Sequence, residues 1–399
     1  MSRSSAEVIA QFQQYVVGNY KRYPICLVRG EGSWVWDAEG RRYLDFFPGW
    51  GCNLLGHCPP RVVAAVRAQV GQLIHVPNTW YMEAQGMFAE ALVRRAFPGQ
   101  VFFCNSGTEA NEAAIKLARL VGHTQGRFKI ISTLSSFHGR TFGALTATGQ
   151  PKYHAGVGPL LPGFSHVPFG DADAVASQID AQTCGILVEP IQGEGGVNLP
   201  PAGYLAALRR LADQHGLTLI FDEVQTGMGR TGRWFAHQHD GVVPDLMTLS
   251  KSLAGGVACG ALVARSELAA FLKPGTHAAT FGGNPIACSA GLAFMETVEA
   301  DQLLNHARHL EQLFRERFLA LQRELSCIKA VRARGVMIGI ELDRDGTPVV
   351  EACLRKGLLI NCTQTTVLRL LPALNLTTAE LETGCGLLAE ALREFQGGA

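Results

Sequence analysis

Leu217-Thr218-Leu219-Ile220-Phe221-Asp222 and Leu246-Met247-Thr248-Leu249-Ser250-Lys251 are two apolar runs that each end on a charge, an acid in the first and an amine in the second. Gly255 and Gly256 follow soon after Lys251. Ligands of an open α/β sheet sit beyond the carboxyl ends of its strands. Two such strands would therefore bring a carboxylate and an amine to one cleft. Either residue alone reads as an ordinary charge at a strand end, so the weight rests on the pair and on what surrounds it.

Outward from this pair the chain alternates strand and helix patterns. Helices are expected over 60–72, 83–96, 109–121 and 202–215, and strands over 101–104, 128–132, 185–188, 217–221 and 246–250. Such alternation predicts an α/β fold with a large, mostly parallel sheet covered by helices on both faces. Residues 30–47 read as a hairpin, with Trp34 and Trp36 alternating and a turn at Glu39-Gly40. Past about residue 290 the texture changes to a long helix over 296–325, a strand at 336–342, a helix at 348–356, a strand at 367–371 and a helix at 378–395. This predicts three units: an N-terminal segment, 1–50, packing with a smaller α+β domain, 296–399, and a large ligand-binding domain, 51–295.

Composition narrows the function. The chain has 399 residues, 47% hydrophobic and 17% charged, which suits a well-buried globular protein of about two domains. A formal charge of +1 without a long basic run gives nucleic acid no electrostatic footing. No apolar stretch approaches the roughly 20 residues that cross a bilayer. His237 and His239 lie close together, but no cysteine pair or acidic helix face completes a metal site. The 11 cysteines include no C-x-x-C pair and lie mostly in apolar contexts, as small core residues of a reducing compartment would. With no signal-peptide pattern at the N-terminus, a cytoplasmic location is expected.

Three further segments carry chemistry. Val101-Phe102-Phe103-Cys104-Asn105-Ser106-Gly107-Thr108-Glu109 is a strand, a turn and a helix start, with Ser106 and Glu109 at capping-box spacing. Such a turn also offers the N–H groups of Gly107 and Thr108 to a phosphate. In Phe137-His138-Gly139-Arg140-Thr141, an aromatic ring at a strand mouth can cover a flat cofactor, and an arginine can grip a carboxylate through two hydrogen bonds. His138 reads as structural. Glu189-Pro190-Ile191-Gln192-Gly193-Glu194-Gly195-Gly196 places two carboxylates on a glycine-rich loop. Paired acids also serve glycosidases, but nothing else here builds a sugar site. A lysine and a buried acid facing a phosphate site suit pyridoxal 5'-phosphate (PLP), whose ring takes electrons while the carboxylate keeps its nitrogen protonated.

These segments, with Asp222-Glu223-Val224-Gln225-Thr226-Gly227, Ser250-Lys251 and Thr280-Phe281-Gly282-Gly283-Asn284-Pro285, strongly resemble the class III aminotransferases, PLP enzymes of fold type I. The resemblance runs from about residue 20 to the end. Within the family the N-acetylornithine aminotransferases are the nearest likeness, through Phe137 to Thr141, Pro159 to Phe164 and Arg334 to Gly339.

The resemblance implies roles. Lys251 would hold the cofactor as a Schiff base and shuttle the proton, and Asp222 would pair with the pyridine N–H. Gln225 would reach the phenolic oxygen, while Phe137 and Val224 would sandwich the ring. Ser106, Gly107 and Thr108 would serve the phosphate, with Thr280 of the partner subunit reaching in, which makes a homodimer part of the site; His138 would also lie at the cofactor. Arg140 would take the substrate carboxylate remote from the reacting amine. Arg369 would take the α-carboxylate of glutamate, and Glu194 would neutralise Arg369 when the amine donor has none to offer. Trp50 stands at a pocket-mouth position that varies in the family, where a bulky indole narrows the site or forms a flat wall for an acyl group. Gly56-His57-Cys58-Pro59-Pro60 has proline where relatives often carry histidine.

The reaction so implied is N-acetylornithine plus 2-oxoglutarate to N-acetylglutamate 5-semialdehyde and glutamate, a step of arginine biosynthesis. Ornithine, 4-aminobutyrate, succinylornithine or a carrier-linked lysine are alternative donors. An aminomutase of the same fold is a further alternative, disfavoured because it needs no switchable arginine.

Overall fold

The computed structural model describes residues 3–397, so the outermost residues of the expected 1–50 and 296–399 units lie outside the described residues. Its largest sheet has seven strands in the spatial order Gly99–Cys104, Gly260–Arg265, Leu246–Leu249, Thr218–Asp222, Thr183–Val188, Lys129–Thr133 and Phe164–Val167. All pair in parallel except Gly260–Arg265, which runs antiparallel to both of its neighbours. That one reversal leaves the other six pointing the same way. Their carboxyl ends share one edge, and Asn105, Thr133, Glu189, Asp222 and Ser250 all arrive there.

The central strands are buried on both faces: every residue of Thr183–Val188, Thr218–Asp222 and Leu246–Leu249 is sealed from solvent. This is why they read as unbroken apolar runs rather than alternating ones. The helix Gly107–Gly122 covers one face through Ala110, Ala113, Ala114, Leu117 and Ala118, small residues that let it lie close to the strands. The helix Tyr204–His215 covers the other with Leu205, Leu208 and Ala212.

Two smaller sheets complete the molecule. Ile328–Arg334, Met337–Leu342, Val367–Leu370 and Asn361–Thr363 form an antiparallel sheet. Leu27–Glu31, Trp34–Asp37 and Arg42–Asp45 form a meander whose last strand pairs in parallel with Leu358–Leu359. Phe46 meets Phe314 edge-on at 5.8 Å, so chain start and C-terminal helices share one core.

The hairpin expected within 30–47 is present, Trp34–Asp37 pairing with Arg42–Asp45, and Leu27–Glu31 extends it to a three-stranded meander. Two expectations are corrected. The long helix over 296–325 is two helices, Pro285–Ala300 and Leu303–Glu324, broken where Gln302 adopts left-handed backbone at φ 50°. The helix after Ser106 begins at Gly107, a residue pair earlier than the apolar periodicity indicated, because the capping turn and not the apolar stripe starts it.

Candidate active site

The strand edge opens into a cavity of about 230 Å³ whose lining includes Lys251, Asp222, Phe137, Val224, Gln225 and Glu194. Gly107, Thr108, His138 and Arg140 also reach it. Of the remaining predicted residues, Ser106 lies just outside and caps the helix, Arg369 stands behind Glu194, and Thr280 is exposed. Trp50 is 58% exposed and packs edge-on to Tyr20, lining a larger apolar groove next to the N-terminal helix.

Asp222 ends its strand 3% exposed, and its carboxylate is held from three directions. His138 Nδ1 lies 2.7 Å and Asn111 Nδ2 2.8 Å from Oδ2, and the Val224 N–H donates to Oδ1 at 3.0 Å. A second tier fixes these partners. Asn111 donates also to the His138 carbonyl and accepts from Thr248 Oγ1, while His138 Nε2 meets Ser132 Oγ at 3.2 Å. Asn111, two residues past the quoted helix start, was not among the expected site residues. Its signal was available: a polar side chain at i+4 from Gly107 on an otherwise apolar helix face must have a buried partner.

Lys251 follows directly on the strand Leu246–Leu249 and Ser250, with left-handed backbone at φ 48°. Burial of the amine lowers its pKa; Glu194 pulls it back up and Arg369 pushes it further down. Glu194 is the counterpart. Burial pushes its carboxyl up, but the charges of Arg369 and Lys251 more than offset this and hold it below the ordinary range.

Arg369 comes from Val367–Leu370 in the antiparallel sheet and is 2% exposed. Its Nη1 donates to Glu194 Oε1 at 2.7 Å, and Nε and Nη2 both donate to Asn361 Oδ1 on the adjacent strand. Phe47 lies against the guanidinium, 5.0 Å from ring centre to Cζ. Arg140 stands on the other side of the cavity, exposed, with its guanidinium 3.9 Å above the Tyr153 ring and 5.5 Å from that of Phe137. Tyr153 carried no sequence signal, because the single turn Pro151–Tyr153 lies between the Phe137–Thr141 and Pro159–Phe164 segments and belongs to neither.

The phosphate turn departs from the expected reciprocal cap. Ser106 Oγ accepts from the Glu109 N–H at 3.4 Å, but the Glu109 carboxylate turns to the Asn105 N–H at 2.5 Å. The Thr108 hydroxyl is committed to the next loop, accepting from the N–H groups of Arg140 and Thr141 at 3.2 Å each. What remains outward is the backbone: the first N–H groups of a helix have no intrahelical acceptor. A Cβ on Gly107 would lie 2.8 Å from Val224 Cγ1, so the turn packs where only glycine fits. A desolvated amine, a buried carboxylate, free helix N–H groups and an aromatic wall in one cavity fit PLP, whose phosphate, ring nitrogen and aldehyde each find a complementary group.

The model of the class-III aminotransferase family matches residues 15–392. The chain belongs to that family and is an aminotransferase. It is 47% identical over 393 residues to the acetylornithine aminotransferase of Caldanaerobacter subterraneus subsp. tengcongensis, covering 98% of this chain and 100% of that one. Among solved structures it is similar to the ornithine aminotransferase of Toxoplasma gondii, in a crystal form showing PLP at partial occupancy in the active site. The TM-score there is 0.94 at 33% identity, over 98% of this chain and 95% of that one. The acetylornithine aminotransferase of Elizabethkingia anophelis superposes with a TM-score of 0.88 at 31% identity, over 98% and 100% of the two chains. Among the described residues no helix is long and apolar enough to cross a membrane, and no cluster of histidine, cysteine or acidic residues could hold a metal ion.

Proposed function

We propose that this chain transfers the ω-amine of N-acetylornithine to 2-oxoglutarate, giving N-acetylglutamate 5-semialdehyde and glutamate, with PLP as cofactor. The observation that carries the reading is the Arg369–Glu194 pair, 2.7 Å apart beside Lys251. A site that takes a terminal amine in one half-reaction and an α-amine in the other needs a cation it can hide and show. With the amine donor, Glu194 neutralises Arg369; with 2-oxoglutarate, Glu194 gives way and the guanidinium takes the α-carboxylate through parallel hydrogen bonds. Arg140, across the cavity, takes the carboxylate at the other end.

When bound, PLP supplies the electron sink that makes a proton on the carbon beside the donor nitrogen removable. The chain does the rest. Gly107 and Thr108 would hold the phosphate, with Thr280 of the partner subunit. Phe137 and Val224 would enclose the ring, Asp222 would keep a proton on its nitrogen, and Gln225 would meet its oxygen. His138 and Ser106 act indirectly, by orienting Asp222 and starting the helix. Lys251 Nζ, lowered in pKa, is available as a neutral base to take the donor's proton and return it. Trp50 would meet the donor's acyl end.

The names of the relatives support N-acetylornithine as donor. The fold likeness to an ornithine aminotransferase makes ornithine the second reading. A homodimer is supported by the exposure of Trp80, Tyr81 and Phe281, large apolar side chains of which Phe281 adjoins Thr280. A cytoplasmic location fits 11 cysteines that are all free thiols.

The test is single-turnover spectroscopy of the PLP-loaded protein mixed separately with N-acetylornithine, ornithine, 4-aminobutyrate and glutamate. N-acetylornithine is expected to convert the bound cofactor faster than the other ω-amines by about tenfold or more. A faster conversion by ornithine would overturn the donor assignment.

A further inference from the structure

We infer that Glu189 is a positioning residue that ties the loop presenting Phe137 to the loop carrying Glu194, so that the cover of the cofactor ring and the counter-ion of Arg369 are held in one register. The inference rests on the reading of Phe137 and Glu194 given above and assigns a task to the second carboxylate of that loop.

Glu189 follows the strand Thr183–Val188 directly and is 4% exposed. Its Oε1 accepts from the Phe137 N–H at 2.9 Å, and its Oε2 accepts from the Gly193 N–H at 3.0 Å. Phe137 belongs to the loop after the neighbouring strand Lys129–Thr133, and Gly193 immediately precedes Glu194. One carboxylate thus spans two loops that reach the cavity from adjacent strands. Gln192 adds a second tie from the same loop, donating to the Leu134 carbonyl at 2.7 Å. The far side of the loop is also anchored, because the Glu194 carbonyl accepts from Thr363 Oγ1 at 2.6 Å and Gln364 Nε2 at 2.8 Å. Glu194 therefore has little freedom except in its side chain, which suits a group that must release Arg369 without dragging its backbone.

The chemistry of the tie demands a carboxylate. Both of its partners are N–H donors, so both oxygens must accept. An amide of the same shape would set an NH2 group against one N–H and break one side of the tie, leaving a buried donor unpaired. The charged or titratable groups facing Glu189 are His138, Asp222 and Lys251. Burial raises its carboxyl and Asp222 adds to the rise, while His138 and the N–H groups of Gly193 and Phe137 oppose it.

The experiment compares Glu189→Gln, Glu194→Gln and the double variant as PLP-loaded enzymes, following the 2-oxoglutarate half-reaction and the visible circular dichroism of the bound cofactor. Glu189→Gln is expected to slow the half-reaction about tenfold and alter the dichroism; in the Glu194→Gln background its effect should shrink by about threefold or more, as expected of coupled groups. Losses that simply multiply, with the dichroism unchanged, would overturn the inference. Should Glu189→Gln fold poorly, backbone hydrogen exchange in the unaltered holoenzyme decides. Peptides spanning 135–142 and 190–198 should open at rates within about threefold of each other, and a tenfold mismatch would refute the tie. Failure of the unaltered enzyme to use any ω-amine would instead strike at the proposed function, so the two failures are distinguishable.

Discussion

Lys251 combines two local costs. Its backbone lies at φ 48°, a region unfavourable for a side chain with a Cβ, and its amine is desolvated enough to lower its pKa. Such costs gather at functional positions because the surrounding structure over-determines them. A group whose folded pKa is depressed contributes stability when neutral, and that contribution is lost as pH falls through the folded value. Below the ordinary lysine range, burying this amine therefore costs the apoprotein stability. Lys251→Met fills the same space without the charge. We expect it to stabilise the apoprotein on the order of 1 kcal/mol at about pH 7 while abolishing turnover. The gain should shrink as pH rises toward the ordinary lysine range. Urea unfolding of both apoproteins at about pH 7 and about pH 9.5 checks this, and a gain that grows with pH would contradict it. The residue pair Asp222 and Lys251 was legible in sequence because each ends an apolar run. Asn111, Glu189 and Tyr153 were not given tasks, because what matters about them is a partner on another element.

At the scale of elements, the strand Gly99–Cys104, its turn and the helix Gly107–Gly122 form the unit on which the phosphate site depends. A Cβ on Gly107 would lie 2.8 Å and 3.0 Å from the two methyls of Val224. Valine branches at Cβ and has no long arm to swing aside, so the first turn of the helix must move instead. Gly107→Ala is expected to cost about 1–3 kcal/mol and to weaken PLP binding about tenfold or more. Gly193→Ala offers the contrast. There the new methyl meets the amide end of Gln225, a flexible side chain that can rotate, so stability should hold far better. Thermal unfolding of both apoproteins separates the cases, and PLP titration of Gly107→Ala checks its loss of binding; equal loss of stability would refute the argument. The elements that escaped the sequence reading have physical reasons of their own. Gly260–Arg265 lies between two glycine-containing or helical stretches and runs against its neighbours, and nothing in an apolar run reports direction. The break at Gln302 carries no Gly or Pro to announce it; its trace is a slip in the buried stripe, which steps from Val298 to Leu303 instead of keeping the helical spacing.

At the scale of the molecule, the site lies where the seven-stranded sheet meets the C-terminal antiparallel sheet, and the Arg369–Glu194 pair joins them across 175 residues of chain. Val367-Leu368-Arg369-Leu370 on its own reads as a strand with a stray charge, so the role of Arg369 was legible only through resemblance to the family. The fold supplies the physical reason: antiparallel pairing sets Arg369 opposite Asn361, whose side-chain Oδ1 takes two of its N–H groups and leaves Nη1 aimed at Glu194. With its stem so fixed, the guanidinium can exchange Glu194 for a substrate carboxylate without moving. Arg369→Ala removes that receptor for one substrate only. The 2-oxoglutarate half-reaction should slow about 100-fold, equivalent to about 2.7 kcal/mol and within the range for a buried charge-assisted pair. The N-acetylornithine half-reaction, which meets Arg369 already neutralised, should change by less than about fivefold. Stopped-flow measurement of the two half-reactions separately is the check. Equal losses in both would mean that Arg369 only braces the junction of the two sheets, and that the acceptor's α-carboxylate is held elsewhere.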